Sequence, residues 1–557
     1  MDGNIYSFVD FRSVPFTVPG SNFVIFIAAN CIRIFFVEYE KPLQECAAAT
    51  IALDESLVKI SDIYAENGHV QLGDIGSIYI LRNKLWGHFR MTDGWVLREE
   101  RSGSVECRYN LNSFQMFSVL DCYGESGEID LDWDPFTVHA DKVVREWMDK
   151  KPKVLPERDY AARVCWWVLG TNMLVFRAPD MSFRRAVVPS KIGYVGQWQW
   201  DSYFIAIGLA HGDEELALEQ MRTAIDFALP NGQLPDVVFP EGILASSDDL
   251  PLADREKLEI ECSPSVGKRH LPLTKPPLTA WSVERICEQF PLSKRREIIS
   301  SVFEGIRKSQ DWWFRESDLD GDGVPEYLHP YSSGLDDSPV FDHDLPVVSP
   351  DLIAYLVVQD SILEMWAEEA KGSYLTTEEA ETFKRQVTAR RTTVLNSLLK
   401  LWDEDRSMFV ARAQGTLITD RTVLSLLGVF AADLPAKIID GIVSDIDDRQ
   451  RFQSDYPIPT VAMDEKEFDE ETMWRGPTWM NTTYLISDGL ERAGRIEKAR
   501  ELREAIMRNV EACGQPVEYL NPRTGEKCQN AVPSFGWTAA LYIDCARREY
   551  LLTCKRE

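Results

Sequence analysis

The spacing of hydrophobic residues changes once along this chain, and this change restricts the folds open to it. In the first part, short β-branched and aromatic runs such as Phe23 to Ala28 are separated by turn signals such as Asn67-Gly68, which is the pattern of antiparallel strands. Further along, apolar residues recur at helical spacing. The sequence therefore predicts a β-sandwich domain over residues 1–140, a linker at 141–156 and a helical domain over residues 157–557.

The helical part contains roughly a dozen helix candidates joined by loops of very unequal length. This number suits six helical hairpins closed into an (α/α)6 barrel, in which the long loops gather at one end and form a pocket. No repeat of about 20–50 residues is visible, so the prediction rests on the helix count. The fold class is thus mainly α, with a β-sandwich in front of the barrel.

Charge and cysteine usage exclude several kinds of partner. Lys and Arg number 60 against 89 Asp and Glu, a net charge of −29, and such a surface repels nucleic acid and anionic membranes. The 11 cysteines show no CxxC pair, which is typical of free thiols in a reducing compartment. Met1 to Asn4 lacks the basic start of a secretory signal, and the apolar stretch Phe23 to Val37 is too short to span a bilayer. We expect a cytoplasmic protein with no nucleic-acid or membrane partner and leave its oligomeric state open.

Two segments far apart in the chain each carry a carboxyl group among residue types that bind sugars. The first, SGLDDSP at 333–339, contains Asp336 and Asp337, and the second, EYLNP, begins at Glu518. Hydrolysis of a glycosidic bond needs two carboxyls, one to protonate the leaving oxygen and one to act on water or the anomeric carbon. Adjacent side chains diverge, so only one of the two aspartates can face a given substrate atom. Taken singly, a solvated acidic loop and a surface Glu518 are simpler interpretations.

Aromatic residues near these segments suit the apolar face of a pyranose. Trp198, Trp200 and Asp201 stand where a loop enters a helix, and Trp537 begins another helix. Asp201 can accept hydrogen bonds from two adjacent sugar hydroxyls. It is equally well explained as the cap of its helix.

Two further loops supply candidate pocket residues. Gln233 and Asp236 follow the turn Asn231-Gly232, which also fits a helix C-cap. Trp474 and Arg475 combine an aromatic wall with a guanidinium fork that can hold a sugar hydroxyl or position a carboxylate. A buried structural Arg–Asp pair is the alternative for Arg475.

One loop is similar to the start of a calcium-binding loop. Asp318, Asp320 and Asp322 place oxygens at alternate positions, and Gly323 is sixth. The twelfth position is His329, where an EF-hand has a bidentate Glu. The sequence therefore favours a hydrogen-bonded turn or a looser calcium site, and we expect no other cofactor.

Taken together, these segments resemble glycoside hydrolase family 63 and related inverting α-glucosidases, which include mannosylglycerate and glucosylglycerate hydrolases, with trehalases as more distant relatives. The resemblance covers about 160 to 550 and implies an (α/α)6 barrel often preceded by a β-sandwich. It also implies that Asp336 is the general acid, that Glu518 is the general base, and that Asp201 and Arg475 line the subsite of the non-reducing sugar. The motifs that carry it, in the family's order, are WQWDSYF at 198–204, PPLTAW at 276–281, DGDGVPEY at 320–327, SGLDDSP at 333–339, WRGPTWMNTTYL at 474–485, EYLNPRTGE at 518–526 and SFGWTAA at 534–540.

We therefore predict an inverting exo-acting α-glycosidase, first of all an α-glucosidase acting on a small or terminal α-glucoside. The expected partner is a small-molecule or oligosaccharide α-glycoside. The alternatives are a mannosylglycerate or glucosylglycerate hydrolase, a trehalase-like enzyme, a glycoside phosphorylase and a non-catalytic carbohydrate-binding protein. Family members often carry Glu and Arg where this chain has Ser332 and Val340, so the leaving group stays open. Inversion requires carboxyls about 6.5–9.5 Å apart.

Overall fold

The computed structural model describes residues 133–245 and 273–554 without interruption. Of the N-terminal region it describes 14–28, 30–38, 43–52, 62–89, 96–100, 105–110 and 113–118, together with the single positions 11, 41 and 256. The expectation about Met1 to Asn4 lies outside the described residues.

In the described part of the N-terminal region, ten strands form two antiparallel sheets, which confirms the predicted β-structure there. The strands are β1 Phe23–Ile27, β2 Cys31–Phe36, β3 Ala47–Ala52, β4 Ile63–Glu66, β5 His69–Leu72, β6 Gly76–Leu81, β7 Lys84–Phe89, β8 Val96–Glu99, β9 Val105–Asn110 and β10 Ser113–Ser118. The first sheet has the order β1-β2-β3-β8 and the second β4-β5-β6-β7-β10-β9. Buried β-branched and aromatic side chains alternate along the strands, as for Ile78 and Ile80, and give each sheet one core face.

Helices dominate the rest of the described chain, as the sequence predicts. No helix among the described residues is long and apolar enough to cross a bilayer. The helices are Trp133–Asp149, Asp159–Thr171, Gln199–Leu209, Glu214–Asp226, Thr279–Cys287, Leu292–Glu316, Pro350–Ala370, Thr377–Lys400, Val423–Leu427, Ala436–Ile446, Met480–Arg492, Ile496–Cys513 and Gly536–Cys554.

The segment 141–156, expected to be a linker, begins inside a helix. Helix Trp133–Asp149 covers its first residues. Trp147 and Trp166 stack with ring centroids 4.7 Å apart, and each indole N–H donates to the backbone carbonyl of the other, at 2.7 and 2.9 Å. The linker prediction is therefore wrong for residues 141–149, because two tryptophans fasten this helix to the helical region.

Close helix packing holds the helical region together. Helix Gly536–Cys554 lies against helix Gln199–Leu209, and a Cβ on Gly208 would come 2.5 Å from the Cα of Ala540. Consecutive helices also pack in pairs across short connections, which makes them antiparallel hairpins. These pairs are 199–209 with 214–226, 350–370 with 377–400, and 480–492 with 496–513.

The longer connections between helices carry several of the candidate site residues. Those that the structure describes in full run over 317–349, 447–479 and 514–535, and Gln233 lies in the described stretch 227–245 after helix Glu214–Asp226. Gln233, Asp336, Arg475 and Glu518 thus all lie in loops that the packed helices hold in place.

Candidate active site

Glu518 is almost completely buried, with 3% of its surface exposed. Its Oε1 accepts a hydrogen bond of 2.8 Å from the Tyr194 hydroxyl, and its Oε2 accepts one of 3.0 Å from the Val532 N–H. Burial raises the pKa of Glu518 to about 7, while these two hydrogen bonds work in the opposite direction. The simpler interpretation of Glu518 as a surface residue is therefore wrong, and the carboxyl changes charge near neutral pH.

A rigid loop presents Asp336. The Ser333 hydroxyl donates to the Pro330 carbonyl at 2.6 Å and accepts from the Leu335 N–H at 3.0 Å. Gly334 has a φ of +76°, and a Cβ there would lie 2.4 Å from the Trp200 ring. The loop thus needs glycine twice over, for its left-handed backbone and for its close packing on the indole.

Asp336 and its neighbour Asp337 point to different partners, as adjacent side chains must. Asp337 Oδ1 accepts a hydrogen bond of 2.9 Å from the Trp474 N–H and so ties two loops together. The side chain of Asp336 is 29% exposed, and its Oδ1 lies 3.7 Å from Lys275 Nζ. The charge of Asp336 raises the pKa of both Glu518 and Tyr194, so the three groups border one site.

Lys275, which none of the sequence motifs includes, is buried among these carboxyls. Its Nζ donates to the Tyr331 carbonyl at 2.5 Å and lies 3.5 Å from Asp236 Oδ1. Burial alone would lower the pKa of Lys275, but the charges of Asp236, Asp336 and Asp201 raise it above its usual value. Lys275 is therefore a cation, and sequence reasoning missed it because its position directly before the PPLTAW motif gives no sign that it is buried among carboxyls.

Asp201 and Asp236 complete the group of buried acids. Asp201 lies within the first turn of helix Gln199–Leu209, whose N-cap is Trp198 without a side-chain cap bond, so the interpretation of Asp201 as the helix cap is wrong. Burial raises the pKa of Asp201 well above its usual value and that of Asp236 to about 6, with Lys275 opposing in both cases. Asp236 is fixed further by its backbone carbonyl, which accepts from the Gln199 N–H at 2.7 Å.

Three of the four predicted tryptophans form a buried aromatic wall. Trp474 stacks on Trp479 with centroids 3.7 Å apart, and Trp200 meets Trp537 edge to face at 5.3 Å. Trp200, Trp474 and Trp537 are 2–3% exposed, so they support the site by packing on each other. Trp198 is less deeply buried.

Gln233 and Arg475 are the two remaining residues that the sequence predicts to line the pocket. Gln233 is buried, and its N–H donates to Asn231 Oδ1 at 3.1 Å. The preceding helix already ends at Asp226 with Phe227 as its C-cap, so the C-cap interpretation of Asn231-Gly232 is wrong. Arg475 Nη2 lies 2.5 Å from Asp342 Oδ1 in a pair whose side chains are 24% and 41% exposed, which is a partly exposed ion pair and not a buried one.

The loop with calcium-like spacing gathers its acids as predicted. One carboxylate oxygen each from Asp318, Asp320 and Asp322 lies within 4.8 Å of the others. Asp318 also accepts hydrogen bonds of 2.9 Å from two glycine N–H groups of the loop. Glu326, at the ninth position, is buried, and burial together with the charges of the three aspartates raises its pKa to about 7. These donors are the oxygen ligands that calcium takes.

Comparison with known proteins places these residues in a recognised family. The profile of the "Mannosylglycerate hydrolase MGH1-like glycoside hydrolase domain" matches residues 194–538. Mannosylglycerate hydrolase MGH1 of Selaginella moellendorffii is 26% identical over 418 residues, which are 64% of this chain and 81% of that protein. Glucosylglycerate hydrolase of Mycolicibacterium hassiacum is 24% identical over 444 residues, 66% of this chain and 95% of that protein. The solved GH63 mannosylglycerate hydrolase from Thermus thermophilus, in complex with glucose, has a similar fold, with a TM-score of 0.56, 21% identity, and coverage of 70% of this chain and 99% of that one.

Proposed function

The chain belongs to the mannosylglycerate hydrolase MGH1-like glycoside hydrolase family, as its motifs predict, and we propose that it hydrolyses a small α-glycoside of the mannosylglycerate or glucosylglycerate type with inversion. The expectation of a general α-glucosidase fits less well, because the related proteins named above are mannosylglycerate and glucosylglycerate hydrolases. The alternative substrate class predicted from the sequence thus becomes the main one.

The observation that carries the proposal is a buried Glu518 carboxyl, held by the Tyr194 hydroxyl and the Val532 N–H, together with an Asp336 carboxyl beside Lys275 whose charge raises the pKa of Glu518. Asp336 donates its proton to the glycosidic oxygen, and the bond between that oxygen and the anomeric carbon breaks. Glu518 takes a proton from a water molecule, whose oxygen bonds to the anomeric carbon from the opposite face. The reaction leaves Asp336 as a carboxylate and Glu518 protonated, and exchange with solvent restores both.

We extend the proposal to the barrel. Three antiparallel helix pairs and the likeness to a solved GH63 enzyme support six hairpins closed into an (α/α)6 barrel. The division into a sandwich over 1–140 and a barrel over 157–557 stays a prediction. In such a barrel the loops with Asp336 and Glu518 would meet over one end.

The leaving group is the least determined part of the substrate. Ser332 and Val340 stand where family members often carry Glu and Arg, and both are buried, at 7% and 2% exposure. Serine and valine carry no charge, so neither side chain can form an ion pair with the carboxylate of a glycerate group. A substrate panel should include a neutral glycoside, such as glucosylglycerol or trehalose, beside mannosylglycerate and glucosylglycerate.

The test is release of sugar by the full chain from this panel without phosphate, followed by NMR of the first-formed anomer. We expect cleavage of a glycosylglycerate, with the β-anomer appearing first. Glu518→Gln and Asp336→Asn should each lower kcat by a factor on the order of 10²–10⁴. Phosphate-dependent cleavage would indicate a phosphorylase, α-anomer first would indicate retention, and sugar binding without cleavage would indicate a binding protein.

A further inference from the structure

Lys275 is held in a fixed position beside the proposed acid. Its backbone N–H donates to Gln199 Oε1 at 3.2 Å, and two prolines follow it, which restrict the backbone at 275 and 276. The side chain is 4% exposed and reaches the Tyr331 carbonyl. These contacts restrict the ammonium to a position 3.5 Å from Asp236 Oδ1 and 3.7 Å from Asp336 Oδ1.

The surroundings of Lys275 differ from those of another buried lysine in the same protein. Lys191 donates to neutral oxygens, the Thr17 hydroxyl at 3.2 Å and the Val18 carbonyl at 3.1 Å, and burial lowers its pKa well below the usual value. At Lys275, by contrast, Asp236, Asp336 and Asp201 keep the ammonium charged. The positive charge at 275 is thus maintained by the surrounding carboxylates, against the effect of burial.

We propose that Lys275 is a positioning residue for proton donation: it holds Asp336 through Oδ1 and stabilises the carboxylate that forms as the proton passes to the leaving oxygen. This inference rests on the proposed function, in which Asp336 is the acid. An ammonium 3.7 Å away in a partly dry site interacts strongly with a developing negative charge. Asp236 shares the same ammonium, at 3.5 Å, so the pull on Asp336 before the reaction is moderated.

A purely structural role is the competing explanation, because Lys275 also neutralises buried Asp236 and Asp201. Among the described residues, Lys275 lies 3.7 Å from the Asp336 carboxyl, and the charge of Asp336 raises the pKa of Asp236, Asp337 and Glu518. Within this described group Lys275 is the cation. Its removal should therefore act on proton donation in a way that a loss of packing does not.

Leaving-group dependence separates the two roles. A leaving group that departs without protonation, such as 2,4-dinitrophenolate, needs no acid, whereas an alkyl leaving group such as glycerate does. Lys275→Gln should lower kcat on the alkyl glycoside by a factor on the order of 10² and on the dinitrophenyl glycoside less than about fivefold. The alkaline limb of kcat/KM should move to higher pH, because the Asp336 carboxylate loses its cation. Lys275→Arg should keep the limb in place.

The matched control is Lys498→Gln, which removes a lysine on helix Ile496–Cys513 that pairs with the partly exposed Asp447 and Glu501, and it should change neither limb nor leaving-group dependence. Equal losses on both substrates with an unmoved alkaline limb would overturn the proposal. If Lys275→Gln does not fold, Asp236→Asn carries the test: freeing the ammonium for Asp336 should move the alkaline limb to lower pH, and an unmoved limb overturns the proposal. A wild-type protein that cleaves no α-glycoside refutes the proposed function itself, whereas an active wild type with failed variant tests refutes only the role of Lys275.

Discussion

Tyr194→Phe isolates the role of Glu518, because it removes one hydrogen bond and no carboxyl. The Tyr194 hydroxyl donates to Glu518 Oε1 at 2.8 Å and stabilises the ionised form. A hydrogen bond to a charged group contributes about 1.5–3 kcal/mol, and one pKa unit corresponds to about 1.36 kcal/mol. Since the Val532 N–H still binds Oε2 at 3.0 Å, we expect the low end, an upward pKa shift of about one unit.

The sign follows from the role. A general base must be ionised, so kcat/KM should rise with pH through about 7, the pKa of Glu518. In Tyr194→Phe this acid limb should move to about 8, so activity falls about tenfold at pH 6 and is unchanged at pH 9.

The measurement is a pH profile of kcat/KM on the best substrate of the panel, with the surface variant Tyr374→Phe as control. If the alkaline limb moves in place of the acid limb, Glu518 is the proton donor and the proposed roles are reversed. If neither limb moves, Glu518 does not control the profile.

Three further predictions concern a site loop, a buried ion pair and the acidic loop. Gly334→Ala forces a side chain into a left-handed backbone and against an indole 2.4 Å away, and should cost about 2–5 kcal/mol in the free energy of unfolding and lower kcat, as thermal denaturation and kinetics would measure. Asp544→Ala removes a buried carboxylate that accepts from the Tyr484 hydroxyl at 2.6 Å and pairs with His211 and Arg285 at 2.9 and 3.3 Å, and should cost about 3–5 kcal/mol in urea unfolding. We also propose that calcium binds the loop of Asp318, so calcium should raise the Tm of the wild type but not of Asp318→Ala, and equal Tm values with and without calcium would exclude the site.

The sequence predicts what depends on local pattern. Strand alternation up to residue 118 and helical spacing after 157 follow from the period of the apolar residues, and both are confirmed among the described residues, whereas 133–140, predicted as part of the sandwich, is helical. The prediction for 141–149 is wrong because the lysines and prolines after this segment resemble a linker, while the contact between Trp147 and Trp166 lies outside any local window.

The motifs predict the candidate site residues that lie within them, but not the residues outside them that contact these side chains. Tyr194 reaches Glu518 across 324 positions, and Lys275 reaches Asp336 across 61, so nothing in the local sequence could pair them. A lysine before two prolines has no sign of burial until the carboxylates around it are known. The same holds for Asp337, whose bond to the Trp474 N–H settles which aspartate is left to face the site.

The two proposed carboxyls must hold different protonation states at one pH, and the structure makes this demand severe. The pKa of Glu518 is raised to about 7 by burial, so below neutral pH it competes with Asp336 for the proton, while the ammonium of Lys275 favours an ionised Asp336. Several neighbouring carboxyls cannot all be ionised at once, however, and Asp236 interacts with the same ammonium. The sharing of Lys275 between Asp236 and Asp336 therefore sets the fraction of enzyme molecules in which Asp336 is protonated while Glu518 is ionised. Removing the charge at 275 should therefore move the alkaline limb, because it changes the pKa of the acid Asp336. Removing the hydrogen bond from 194 should move the acid limb, because it changes the pKa of the base Glu518. If either substitution moved both limbs together, the assignment of acid and base would be contradicted.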